Sequence, residues 1–134
     1  MSIENVELVP GIYDAFAVGD VAAVLGAMSP DIVWNEAENF PLADRNPYVG
    51  PDAVAGGVFA RLAADWDGFA LSIDELLDAG DAVVATGRYR GTNRASGDPV
   101  DAQFVHIWRI KDGKAKAFQQ YTDTLQFARA TGGQ

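Results

Sequence analysis

The sequence predicts an α+β fold in which helices cover one face of an antiparallel sheet. In the first half of the chain, apolar residues recur at the three-to-four-residue spacing of a helix, whereas from Phe69 onward they alternate with a period of two. Residues 111–114 read Lys-Asp-Gly-Lys, and an Asp-Gly pair is typical of a two-residue hairpin turn. Helices followed by a meander of strands indicate the α+β class.

The first helix is predicted from a single apolar stripe. Val9, Ile12, Tyr13 and Phe16 fall on one helical face. Because proline is tolerated only in the first turn of a regular helix, we expect this helix to begin near Pro10.

The next segments are a second helix and a short strand. Gly19 ends the first helix, and Asp20 caps a second helix over residues 21–28. We expect a turn at residues 29–31 and a strand that runs from Ile32 to near Glu36.

A loop and a third helix complete the first half. Residues 37–49 contain turn-forming residues and are expected to form a loop, and Pro51 suits the first position of the third helix. Gly56 and Gly57 weaken that helix by about 1 kcal/mol each relative to alanine. Two explanations for these glycines stay open. We favour a tight helix–sheet contact, and the alternative is space left for a ligand.

The second half is predicted to be strands. The strand of residues 100–110 is apolar on both faces, so we expect it to lie inside the sheet. The expected order is a strand from Phe69, a turn at 78–81, a strand at 83–92, a loop at 93–99, strands at 100–110 and 115–122, and a helix from Thr124.

Length and composition limit the classes of function. The 134 residues suit one domain, and 49% hydrophobic residues suffice for a core. A net charge of -9 disfavours binding to nucleic acid and to anionic membranes. The chain has no cysteine and one histidine, which excludes disulfides, thiolate sites and multi-histidine metal sites. We find no signal-peptide pattern and no apolar run of membrane-spanning length, so a cytoplasmic location is expected.

Four polar residues stand among apolar neighbours on the predicted strands and are the candidates for a site. They are Glu36, His106, Gln120 and Asp123. A sheet covered on one face by helices can curl into a cone with a hollow interior, and a few polar groups in an aromatic wall are typical of a small-molecule pocket. Asp123 has an alternative role, as the cap of the helix from Thr124.

Three stretches of the chain resemble a known family, the nuclear-transport-factor-2-like (NTF2-like) superfamily in its SnoaL-like and ketosteroid-isomerase-related branch. They are IYDAFAVGDVAAVLGAMSPDIVW at 12–34, YVGPDAV at 48–54 and, most specifically, FVHIWRIKDGKAKAFQQYTDT at 104–124. The resemblance implies one domain over residues 1–134, an NTF2-like cone with three N-terminal helices packed on a curved mixed, mainly antiparallel sheet. It also implies a deep pocket, a homodimer, and chemistry without a metal or cofactor.

The resemblance leaves the reaction open, because members isomerise ketosteroids, cyclise polyketides, dehydrate small acids or hydrolyse epoxides, and others only bind ligands. Matched residue by residue, the carboxylate base of the isomerases falls on Glu36, and their oxyanion-binding acid falls on His106. Their tyrosine falls on Ile12, one residue before Tyr13. The acid/base aspartate of the cyclases falls on Gln120, and glutamine cannot abstract a proton.

Two hypotheses follow. In the first, a cofactor-independent enzyme acts on a small apolar carbonyl or hydroxyl compound. Glu36 would be the general base, His106 a hydrogen-bond donor or acid, and Gln120 and Tyr13 would orient substrate or water. The residues expected to bind substrate are Tyr13, Trp34, Phe40, Tyr48, Phe59, Phe104, Trp108, Phe118 and Asp123. In the second, the chain is a non-catalytic small-molecule-binding or dimerisation module. Val105 and Ile107 would form an apolar patch on the open face of the sheet, and a dimer contact would cover that patch.

Overall fold

The structure, a computed structural model, describes residues 3–132. Its helices and strands follow the predicted order, except that a short strand at Tyr48–Val49 lies in the predicted loop of residues 37–49. The helical segments are α1 (Ile3–Ala17), α2 (Val21–Gly26), a 3-10 helix (Pro41–Arg45), α3 (Pro51–Val54), a π-helical segment (Ala55–Phe59), α4 (Ala60–Asp65) and α5 (Thr124–Ala130). The strands are β1 (Met28–Asn35), β2 (Tyr48–Val49), β3 (Trp66–Asp78), β4 (Ala82–Asn93), β5 (Pro99–Lys111) and β6 (Lys114–Thr122).

The six strands form one mixed, mainly antiparallel sheet in the order β2-β1-β6-β5-β4-β3. Only the pairing of β1 with β6 is parallel among these strands. The predicted interior position of β5 is confirmed. The hairpin between β5 and β6 is confirmed as well, since Asp112 and Gly113 both have the positive φ that a primed two-residue turn requires.

Helix α1 begins at Ile3, so the predicted start near Pro10 is wrong. Pro10 lies inside the helix and removes one backbone hydrogen bond, at a cost of about 3 kcal/mol. Val9 and Ile12 on either side of it are buried, and each such side chain contributes about 1.5–3 kcal/mol, which offsets that cost. Within residues 3–132, no helix is both long enough and apolar enough to cross a membrane.

Strand β1 begins at Met28, so the predicted turn at residues 29–31 is wrong. The register between β1 and β6 shifts between Met28 and Val33, and Pro30 lies in that irregular part of the ladder. Proline cannot donate a ladder hydrogen bond, and a bulge is a position where no such bond is needed.

The predicted caps of the short helices hold for α2 and α3. The Asp20 side chain accepts a hydrogen bond from the backbone N–H of Ala23, 3.1 Å away, at the start of α2. Pro51 occupies the first turn of α3.

The two helical glycines differ in their surroundings. A Cβ on Gly57 would overlap the Tyr48 ring at Cε1 and lie 2.9 Å from Cδ1, whereas a Cβ on Gly56 would meet nothing within 4 Å. Tyr48 is held in place there, because its hydroxyl donates to the carbonyl of Leu42 and accepts from Arg61. The close-packing explanation therefore applies to Gly57.

We expect Gly57→Ala to lower the free energy of unfolding by about 1–3 kcal/mol, because the new methyl group overpacks a fixed aromatic ring. Gly56→Ala is the matched control, one residue away in the same segment. It is expected to raise the free energy of unfolding by about 0.5–1 kcal/mol, since alanine favours a helix and the space is open. Urea denaturation measures both, and equal effects would contradict this account.

Candidate functional site

A cavity lies between the helices and the inner face of the sheet. Its volume is about 50 Å³, enough for a few water molecules and smaller than the ~150 Å³ apolar cavities known to admit benzene. The side chains that line it are mainly apolar and aromatic. They are Ile12, Tyr13, Phe16, Val24, Trp34, Glu36, Phe40, Val58, Phe59, Leu62, Phe69, Leu71, Tyr89, His106, Trp108, Phe118 and Gln120.

Strand register brings the three predicted catalytic residues to this cavity. His106 on β5 pairs with Gln120 on β6, and Asn35 on β1 pairs with Gln119 on β6. Glu36 follows Asn35 directly, so it falls beside Gln120. Because side chains alternate between the two faces of a sheet, all three point to the same face.

Glu36 is the buried carboxyl group of the cavity, with 3% of its surface exposed. Its backbone is held on both sides by Asn46, whose Oδ1 accepts from the Glu36 N–H at 3.0 Å and whose Nδ2 donates to the Glu36 carbonyl at 2.8 Å. No side chain among residues 3–132 makes a hydrogen bond of ordinary geometry to its carboxyl group. Glu36 is thus fixed in position while its reactive end stays free.

Burial raises the pKa of Glu36 from its ordinary 4.5 to about 8. The indole N–H of Trp34 and the positive charge of Arg61 act in the opposite direction and offset part of that rise. The Trp34 N–H lies near the carboxyl group, yet its geometry falls short of a hydrogen bond, and it is a buried polar atom without a partner in the described residues. The carboxyl group therefore carries a proton at neutral pH and can release it in the same range.

His106 is hydrogen-bonded at both ring nitrogens. Its Nδ1 lies 2.6 Å from the Tyr13 hydroxyl, and its Nε2 lies 2.5 Å from the Tyr89 hydroxyl. Trp108 donates its indole N–H to the Tyr13 hydroxyl, and Gln120 donates its amide to the Tyr89 hydroxyl. The imidazole is therefore the centre of a chain of polar groups along the cavity wall.

Burial sets the charge of these hydrogen-bonded side chains. It lowers the pKa of His106 from 6.5 to about 3, so the imidazole is neutral at pH 7. Burial also raises the pKa of Tyr13 and of Tyr89 above the ordinary value of 10, so both hydroxyl groups keep their protons. At neutral pH, the site therefore consists of neutral hydrogen-bonding groups around one titrating carboxyl group.

The structure places most of the expected substrate-binding residues in the cavity wall and three of them elsewhere. Tyr48 packs against Gly57, and Phe104 stacks behind His106 with ring centroids 4.1 Å apart. Asp123 is exposed and accepts from the Gln126 side chain; it precedes α5 but makes no capping bond to a backbone N–H. The expected residues in the wall are Tyr13, Trp34, Phe40, Phe59, Trp108 and Phe118.

Tyr89 is the functional candidate that the sequence analysis missed. It is buried and joins His106 to Gln120. A signal was present, because Arg88 and Arg90 flank it on β4, and two charged neighbours on one face of a strand direct the residue between them inward.

Arg61 is a second missed residue, and it holds the loop beside the cavity. Its guanidinium group donates to both carboxylate oxygens of Asp44, at 3.0 and 2.7 Å, and to the Tyr48 hydroxyl at 2.8 Å. Its Nε donates to the Gly57 carbonyl at 2.7 Å. The loop between β1 and β2 is thereby tied to the helical segment opposite it.

No group of three or more His, Asp or Glu side chains within residues 3–132 is placed to hold a metal ion. Glu36 and His106 share the cavity wall, but both imidazole nitrogens are already engaged by hydroxyl groups.

The family model of the SnoaL-like domain matches residues 9–118. An NTF2-like protein from Burkholderia thailandensis is 38% identical, with a TM-score of 0.91 and 98% of each chain covered. An NTF2-like protein of unknown function from Burkholderia pseudomallei is 29% identical, with a TM-score of 0.87 and coverage of 97% of this chain and 98% of the other. TerC, co-crystallised with polyporic acid, is 26% identical, with a TM-score of 0.84 and coverage of 97% and 99%. No curated protein matches the chain.

Proposed function

Because the chain belongs to the SnoaL-like domain family, we propose that its cavity takes up a small, mainly apolar carbonyl or hydroxyl compound and transforms it by general acid–base chemistry without a cofactor. One observation carries the proposal. Glu36 is buried in an apolar cavity, its carboxyl group is free of ordinary hydrogen bonds from the described residues, and its pKa is raised to about 8. A general acid or base works best when its pKa lies near the working pH.

Glu36 is the proton-transferring group in this proposal. In its ionised form it removes a proton from the carbon next to a carbonyl group, and the electron pair of the broken C–H bond moves toward the carbonyl oxygen. Returning the proton at the same or another carbon completes an exchange or an isomerisation. The apolar wall keeps bulk water away, which strengthens electrostatic interactions inside the site.

The developing negative charge on the oxygen needs hydrogen-bond donors. The hydroxyl groups of Tyr13 and Tyr89 and the N–H of Trp34 are in the wall, and each is a neutral donor. In this proposal His106 and Gln120 position the tyrosines, since both imidazole nitrogens and the amide of Gln120 are bonded to them or to the backbone.

The relatives support a small organic ligand. TerC was co-crystallised with polyporic acid, and it shares this fold over nearly its whole length. The cavity here is about 50 Å³, so the ligand that fits this chain without rearrangement is compact. The substrate class we propose is a small ketone or a related carbonyl compound.

Proton exchange with solvent tests the proposal directly. The protein is incubated with acetone, the smallest ketone, in D₂O, and α-deuterium uptake is followed by NMR at pH 6–9. We expect uptake faster than in buffer alone, rising with pH through about 8 as Glu36 ionises. Binding of acetone, seen as quenching of tryptophan fluorescence, without any added exchange would contradict catalysis.

A non-catalytic binding module is the second candidate. It is favoured by the two occupied nitrogens of His106, which leave the imidazole no free position for proton transfer, and by the small volume of the cavity. This candidate predicts ketone binding without exchange, so the same experiment separates the two.

Homodimerisation and a cytoplasmic location remain predictions. We propose that a second copy covers the outer face of the sheet, where Val33 and Tyr121 are 39% and 53% exposed beside the half-buried Val105 and Ile107. Sedimentation analysis of Tyr121→Glu against the wild type tests this, since a dimer through this face is expected to dissociate.

A further inference from the structure

Five side chains form one unbranched chain of hydrogen bonds along the cavity wall. Trp108 Nε1 lies 2.8 Å from the Tyr13 hydroxyl, which lies 2.6 Å from Nδ1 of His106. On the other side of the ring, Nε2 lies 2.5 Å from the Tyr89 hydroxyl, which lies 2.9 Å from Nε2 of Gln120. The order of groups is therefore donor, hydroxyl, imidazole, hydroxyl, donor.

Both ends of the chain can only donate. The indole N–H of Trp108 has no acceptor function. The amide of Gln120 is oriented by the backbone N–H of Ala37, which donates to Oε1 at 3.1 Å and so turns the NH₂ group toward Tyr89. Reversing either end would leave a buried donor or acceptor without a partner, which is costly.

Counting hydrogens shows that one is left over. The four links join an indole N–H, two tyrosine O–H groups, one imidazole N–H and one amide N–H, so five hydrogens are available for four bonds. The imidazole carries one hydrogen because it is neutral; it is fully buried and no carboxylate bonds to either nitrogen. Because both ends must donate, the remaining hydrogen belongs to a tyrosine.

The tautomer of His106 decides which tyrosine keeps that hydrogen. When Nε2 is protonated, it donates to Tyr89, Tyr13 donates to Nδ1, and the Tyr89 hydrogen is left over. When Nδ1 is protonated, it donates to Tyr13, Tyr89 donates to Nε2, and the Tyr13 hydrogen is left over. Neither hydroxyl has a further acceptor among residues 3–132, and both tyrosines line the cavity.

We infer that His106 is a tautomeric switch that offers the cavity one hydroxyl hydrogen, from either Tyr13 or Tyr89 but never from both. This inference rests on the proposed function, since it takes the cavity to be the ligand site. His106 is then a positioning residue rather than a group that touches substrate. The ring changes state without gaining charge, which suits a fully buried position.

The free hydrogen-bond donors of the cavity restrict the chemical class of the ligand. The leftover hydroxyl hydrogen and the unpartnered N–H of Trp34 are both donors, so a ligand gains most by bringing an acceptor oxygen. A ketone provides such an oxygen, whereas a hydrocarbon of the same shape provides none. The ligand class is therefore a compact apolar molecule with a carbonyl oxygen.

The tautomer can be read directly, because His106 is the only histidine of the chain. The ¹⁵N chemical shifts of the labelled ring at pH 7 distinguish a protonated Nδ1 from a protonated Nε2 and from the cation. In Tyr13→Phe, Nδ1 loses its partner, and we expect the proton on Nε2, because a buried unpaired N–H is rarer and costlier than an unpaired acceptor. In Tyr89→Phe, we expect the proton on Nδ1. The same tautomer in both variants, or a cationic ring at pH 7, would overturn the inference.

Ligand binding supplies a second readout, which a merely structural role would not reproduce. Each single variant still has one hydroxyl hydrogen to offer, so acetone is expected to bind within about tenfold of the wild-type affinity. In the double variant Tyr13→Phe/Tyr89→Phe, the affinity is expected to fall more than the two single losses multiplied together. 2-Methylpropene, which has the shape of acetone without the oxygen, is the control probe and should bind all four proteins alike.

The proposed function and the tautomeric switch can be refuted independently of each other. If the tautomers are opposite in the single variants but acetone neither binds nor exchanges protons, the proposed function is wrong and the switch stands. If exchange occurs but one single variant abolishes ketone binding, the two tyrosines are not interchangeable and the switch is wrong. Circular dichroism shows whether each variant is folded. If one variant is unfolded, the wild-type ¹⁵N spectrum still tests whether the His106 ring is neutral.

Discussion

Replacing Glu36 by glutamine is expected to slow the α-proton exchange of a ketone by about 100-fold or more, while the ketone still binds. A positioned general base contributes typically 10²–10⁴-fold to a rate, and glutamine keeps the size of the side chain but cannot accept a proton. The backbone of residue 36 is held by Asn46 through main-chain atoms, so the variant should keep its local structure. Exchange followed by NMR and binding followed by fluorescence measure the two effects.

Glu38→Gln is the matched control for this prediction. It makes the same chemical change two residues away, on an exposed side chain that does not line the cavity. We expect it to leave the exchange rate as it is in the wild type. An unchanged rate in Glu36→Gln would show that another group removes the proton.

Glu36 is also expected to make the protein less stable as the pH rises, by a total on the order of 5 kcal/mol. Its pKa is about 8 in the fold and 4.5 when it is not buried. Between these values the unfolded chain has released the proton while the folded protein retains it, so the free energy of unfolding falls with increasing pH. Below about pH 4.5 both states are protonated and this group has no effect.

His106 affects the stability of the fold at lower pH, and its effect on the free energy of unfolding has the opposite sign. Its pKa is about 3 in the fold and 6.5 otherwise, so the unfolded chain binds the extra proton and stability is lost as the pH falls from about 6.5 to 3. Between about pH 4.5 and 6.5 the contributions of Glu36 and His106 oppose each other. Stability should therefore be highest in that range.

Urea denaturation of the wild type and Glu36→Gln at pH 5 and pH 8.5 checks this. The variant is expected to gain several kcal/mol relative to the wild type at pH 8.5 and little at pH 5, because it has no carboxyl group to ionise. Taking the difference between the two proteins cancels the contribution of the other acidic residues. Glu38→Gln should show no such dependence, and a difference independent of pH would refute the buried-carboxyl account.

Local patterns predicted the elements well where they depend on short-range chemistry. The Asp-Gly turn at 112–113, the cap at Asp20 and the interior position of β5 all follow from neighbouring residues, and the structure agrees. Two of the errors, at Pro10 and at residues 29–31, have one cause. Proline predicts a local interruption, but burial of adjacent apolar side chains and a bulge in the sheet allowed the helix and the strand to continue.

Part of the candidate site was also predictable from the sequence. Strand alternation and the family resemblance placed Glu36, His106 and Gln120 on the inner face, and the structure puts all three in the cavity wall. Alternation gave no means to see that Phe104, on that same face, lies behind His106 rather than beside the cavity. Asp123 follows the end of β6, where the alternation no longer applies, and it is exposed.

The amino-acid sequence by itself determined which residues face inward, because the side-chain period of a helix or strand is a local property. Only the tertiary structure decided which of these residues meet. Tyr13 on α1 and His106 on β5 are 93 positions apart, and their hydrogen bond forms because α1 packs against the sheet. The parallel pairing of β1 with β6 likewise brings Glu36 beside Gln120. Such contacts depend on the register between distant segments, which no local pattern encodes.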